Sequence, residues 1–110
     1  MTTLFEKIIS GEVPCDKVFE NERVFAFKDI APQAPVHILI IPKKPIENIA
    51  AVTQEDQALL GEILVVAQKI AKEQNLESFR LITNSGRGSG QEVFHLHFHL
   101  LGGRQLGSLG

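Results

Sequence analysis

The spacing of apolar and polar positions changes period several times along the chain, and those changes mark its elements. Residues 3–10 predict a short helix that ends near Gly11 and Pro14. Residues 17–20 and 23–28 read as two short strands around an Asn21-Glu22 turn. The proline-rich stretch 31–35 breaks the pattern. A β-branched strand over 36–41 follows, stopped by Pro42. Residues 54–74 predict the longest helix, with Thr53 as N-cap and Asn75 at its C-terminal end. Residues 79–84 and 93–101 predict two further strands, separated by the glycine-rich loop 85–92. Strands outnumber helices and most joins between strands are short, so the fold class expected is α+β with a mainly antiparallel sheet.

The long helix carries more apolar surface than one side of a core requires. Leu59, Leu60, Ile63, Leu64, Val66, Ala67, Ile70 and Ala71 span an arc of about 160° at about 100° per residue. This predicts cover on two sides, by the helix's own sheet and by a second subunit. A helix sunk deeply into a monomer's core is the alternative.

Composition narrows the class. A chain of 110 residues suits one domain, here 1–110, and 44% hydrophobic with 22% charged residues allows both a core and solubility. No apolar run approaches the roughly 20 residues of a membrane span. The N-terminus lacks a basic segment followed by an apolar stretch, so no secretory signal is expected. The lone Cys15 cannot form an internal disulfide, which fits a cytoplasmic location. A net charge of −2 without a basic block argues against long nucleic acids as partners. A small anionic ligand needs only a local site.

Chemistry concentrates in residues 93–101. His95, His97 and His99 alternate with Phe94, Leu96, Phe98 and Leu100. On a strand the three imidazoles share one face, their Cα atoms about 6.6 Å apart, and the apolar set packs on a core. Burying three imidazoles costs free energy unless each finds a partner. Two functional readings stay open on the residues alone. One is metal binding, with His37 adding a ligand from another strand. The other is nucleophilic attack by a histidine nitrogen on phosphorus, with neighbours to stabilise charge and handle protons. The adjoining glycine-rich loop favours the second, because its bare backbone can approach phosphate oxygens.

The segment from His95 to Leu101 resembles the histidine triad. Residues 3–9, 26–37, 41–44 and 90–104 are similar to the Hint branch of that family, the nucleoside phosphoramidases. The resemblance implies a five-stranded sheet with one long and one short helix, joined across a homodimer into one continuous sheet. It implies hydrolysis of purine nucleoside phosphoramidates to a nucleoside monophosphate and an amine, with no cofactor. It implies His97 as nucleophile, its Nδ1–H held by the carbonyl of His95, with His99 at the phosphate or leaving group and His37 in support. It places Asp29 at the ribose hydroxyls, and Leu4, Phe5, Ile8, Phe27 and Ile30 around the base. Asn84, Gly90 and Gln91 fall on the phosphate side. Glu92 stands where several relatives have a serine that touches the phosphate or leaving group. Thr3 and Glu6 stand where some members carry a cysteine pair that helps bind zinc, so no metal is expected. Family tails reach toward the partner's site, and the sequence here stops at Gly110. A nucleotide-binding partner module without catalysis, and a histidine-rich metal protein, are the competing classes.

Overall fold

A computed structural model describes residues 2–110. Helix α1 (Leu4–Ile9) starts with Thr3, whose hydroxyl accepts from Glu6 N–H while the Glu6 carboxylate accepts from Thr3 N–H. Strands β1 (Lys17–Glu20), β2 (Val24–Lys28) and β3 (Val36–Pro42) follow. A 3-10 turn over 54–56 leads into α2 (Gln57–Glu73), so the long helix is shorter at its N-terminus than its periodicity suggests. There the Asp56 carboxylate accepts from Thr53 N–H at 2.9 Å. Asn75 ends the helix with a left-handed φ of 57°. Strands β4 (Phe79–Ile82) and β5 (Phe98–Gly102) complete an antiparallel sheet of order β1-β2-β3-β5-β4.

The sheet separates two apolar clusters. On one face Ile38, Ile40, Leu96, Phe98 and Leu100 pack with Ile63, Val66, Ala67 and Ile70 of α2. On the other, Phe25, Phe27, Leu39 and Ile41 pack with Phe5 and Ile8 of α1. The strand period of two places His37 and His99 on this second face, beside the smaller cluster.

Two expectations need correction. Ala67 and Ala71 are buried within this chain's own core, so the outward part of the α2 arc is narrower than its periodicity implies. Leu64 and Val65 are what remains exposed, at 50% and 65%. The histidine segment is also not one strand. Continuing the β3–β5 register past Ile40↔Phe98 would set Leu96 opposite Pro42, which has no N–H to give. Leu96 N–H donates instead to Ile46 carbonyl at 2.6 Å, and β5 begins at Phe98. Phe94 is only half-buried, with the Arg87 guanidinium over its ring.

Candidate active site

A cavity of about 480 Å³ opens on the α1 face of the sheet. The β2–β3 turn, the approach to β5, helix α1 and the glycine-rich loop all contribute to its wall. His97 lines it. Its Nδ1 lies 2.7 Å from the carbonyl oxygen of His95. A carbonyl only accepts, so Nδ1 carries the proton and Nε2 keeps its lone pair. Phe5 sets its ring edge-to-face against this imidazole, centroids 4.9 Å apart at 89°. The hydroxyl of Thr83 donates to the His97 carbonyl at 2.7 Å, taking over where the β4–β5 ladder has ended.

His99 is fixed in the opposite tautomer by a relay of hydrogen bonds. Gln33 N–H donates to Nδ1 of His37 at 3.0 Å. His37 must therefore carry its proton on Nε2, which donates to Nδ1 of His99 at 2.9 Å. Neutral His99 is left with its proton on Nε2. Asp29 stands beside the relay, its Oδ2 3.4 Å from His37 Nε2, while its Oδ1 accepts from Ala31 N–H at 2.8 Å. Asp29 thus caps the proline-rich turn and also lines the cavity.

Burial, the first cause in each case, lowers the pKa of His37, His97 and His99 from the usual histidine range. The neighbouring His97 and His37 push His99 further, to about 4. The Nδ1–H bond to His95 opposes the shift at His97, and Asp29 opposes it at all three.

Leu4, Phe5, Ile8, Phe27, Ile30, Asn84, Gly90 and Glu92 join Asp29, His37, His97 and His99 on the cavity wall. Gly90 holds a left-handed φ of 107°, which closes the loop and which side-chain-bearing residues rarely adopt. Two residues picked from the sequence do not line it. Gln91 is buried beneath the loop, where its amide ties Gly86 N–H and Asn48 to the carbonyls of Glu47 and Val93. The His95 ring turns away, its Nε2–H donating to the Pro42 carbonyl at 2.7 Å, so His95 meets the site through its main chain.

Comparison with known proteins takes in nearly the whole chain. The HIT domain model matches residues 10–106. The chain belongs to the HIT family. An uncharacterized HIT-like protein of Synechococcus elongatus is 53% identical over 105 residues, covering 94% of this chain and 92% of its relative. The purine nucleoside phosphoramidase of Escherichia coli is 49% identical over 109 residues, covering 97% and 92%. A HIT family hydrolase from Clostridium thermocellum superposes with a TM-score of 0.94 at 45% identity, covering 98% of this chain and 96% of that one. The reaction class these relatives support is hydrolysis.

In this HIT chain the donor atoms of Asp29, His37 and His99 lie within 4.8 Å of one another, which invites a metal reading. The hydrogen bonds oppose it. A metal on His37 Nε2 would force its proton onto Nδ1, against the incoming Gln33 N–H. With the His95 ring bonded to Pro42, the four histidines do not converge as one ligand set.

Sequence reasoning missed several contributors. Val13, Pro14 and Cys15 also line the cavity, brought there by the turn after α1, and Leu39 joins them from β3. Cys15 offered no signal of its own. Gln33 acts through its N–H, for which the proline-rich turn was the only hint.

Proposed function

We propose that this HIT protein hydrolyses purine nucleoside phosphoramidates at the P–N bond, through a nucleotidyl intermediate on His97. The observation that carries the reading is the pair of complementary tautomers in one cavity. His97 offers a lone pair, and His99 offers an N–H. In the first step His97 Nε2 bonds to the α-phosphorus and the P–N bond breaks. Its electron pair stays on nitrogen, which takes a proton from solvent and leaves as an amine. The Nε2–H of His99 donates to a phosphoryl oxygen as charge develops. In the second step water bonds to phosphorus and releases a proton, and His97 Nε2 departs.

Asp29 accepts the ribose hydroxyls, and Gly90 and Asn84 face the phosphate. The apolar wall takes the base, and Leu4 and Ile30, 48% and 97% exposed, offer it surface. The working unit in this reading is a homodimer joined through the edge strand β4, where Phe79 is exposed.

A fluorogenic nucleoside phosphoramidate tests the proposal. Wild type is expected to release the amine. His97→Ala is expected to lose turnover by several orders of magnitude while binding nucleoside monophosphate within a few-fold. Binding without turnover in wild type would make the protein a nucleotide-binding module instead.

A further inference from the structure

His97 sits where the sheet comes apart. The β3–β5 ladder ends at Ile40↔Phe98 and the β4–β5 ladder at Ile82↔His99, so His97 lies just outside both. A residue there lacks the regular main-chain bonds that hold a strand in place. A nucleophile needs such holding, since a displacement of about 1 Å can cost about a hundredfold in rate. The ring of His97 is fixed at Nδ1 by the His95 carbonyl and by its edge-to-face contact with Phe5. Those contacts set the ring against residues 95 and 5. They do not set the main chain of His97 against the phosphate-facing side of the cavity.

Thr83 makes that connection. Its hydroxyl donates to the His97 carbonyl at 2.7 Å, an ordinary length for a well-made O–H···O bond. Carried past Ile82↔His99, the register sets Thr83 opposite Phe98 and Asn84 opposite His97. The hydroxyl therefore bridges the two segments at the point where main-chain pairing stops. Asn84 lines the cavity and Thr83 does not. His97 is buried, so its carbonyl left without a donor would cost free energy.

We infer that Thr83 is a positioning residue for the reaction, its hydroxyl holding the His97 main chain in register with Asn84 so that Nε2 meets phosphorus in line. The inference rests on the proposed phosphoramidase reading and adds a residue to it. Thr83 touches no substrate and acts through His97. A residue of this kind stabilises the transition state more than the bound ground state, so its loss appears in kcat. The hydroxyl is the part that acts. Serine keeps it, whereas valine keeps the branched shape and loses the O–H.

Three measurements on each variant test this: kcat on a fluorogenic adenosine phosphoramidate, Kd for AMP, and the urea midpoint. Thr83→Val is expected to lower kcat about tenfold, the scale of one hydrogen bond lost from a buried acceptor, with Kd for AMP within about twofold of wild type. Thr83→Ala, also without the hydroxyl, should show the same split. Thr83→Ser should keep kcat within about twofold of wild type, because its hydroxyl can still donate. Ile70→Val lies in the α2 core on the opposite face of the sheet. It should lower the urea midpoint and leave kcat unchanged, which separates positioning from a general loss of stability. Wild-type kcat in Thr83→Val and Thr83→Ala overturns the inference and leaves the phosphoramidase reading standing. So does Thr83→Ser as slow as Thr83→Val, or a loss confined to AMP affinity. An inactive wild type overturns the phosphoramidase reading, and the inference with it.

Discussion

At the scale of single residues, the site uses histidine without its usual charge. His37, His97 and His99 all titrate below the ordinary range because they are buried, and His99 is pushed to about 4. A neutral His97 is what attack on phosphorus requires. kcat/KM is therefore expected to be level between about pH 7 and 8, and to stay high below the ordinary histidine value of about 6.5 before falling on the acid side. A half-point at 6.5 or above in the rate profile would contradict the assignment. Stability follows the same groups. Their folded pKa values are depressed, so below about 6.5 the unfolded chain binds protons that the folded chain refuses, and at His99 this holds down to about 4. This contribution is complete above about 6.5 and is lost as pH falls, the His99 part of it by about 4. Urea midpoints at pH 7.5 and 5.0 check the sign: the midpoint should be lower at 5.0.

At the scale of elements, the relay joins the β2–β3 turn, β3 and β5, and its integrity decides how the site meets metal. His37 reaches His99 because their strands are neighbours in the sheet. Zinc forced into this trio must displace the proton that fixes His99, so added zinc should inhibit. A strong chelator should leave activity unchanged or raise it. Loss of turnover on chelation, restored by stoichiometric zinc, would reverse this account. The elements themselves were largely legible in the sequence. The β-branched run of β3 and the periodicity of α2 announced both, because each buries a regular face. The histidine segment read as one strand because its alternation persists, yet alternation does not report the ladder. Pro42 ends the pairing from the opposite strand, through a register that no local pattern reveals. The His97 tautomer was inferred through the family resemblance and has its partner in the structure. The role of Gln33 was hidden because a main-chain donor leaves no mark on side-chain identity.

At the scale of the whole molecule, apolar surface remains that one copy of the chain does not cover. Phe79 on the edge strand β4 is 44% exposed, and Leu64 and Val65 of α2 are more so. An open edge with an aromatic on it is a place for another strand to add. Sedimentation at micromolar concentration should give the mass of a dimer. Phe79→Lys should shift it toward monomer by placing charge on that edge. A wild-type monomer under these conditions would remove the dimer from the functional reading.

The two groups that decide where the site's protons sit, Gln33 N–H and His95 C=O, belong to the main chain. The site is thereby buffered against side-chain substitution at position 33. Any residue with an amide hydrogen can serve at position 33, so Gln33→Ala should keep kcat within a few-fold, while Gln33→Pro should abolish it although the side chain it replaces is exposed. A saturation library at this position, scored for turnover, should be nearly flat with a single deep notch at proline.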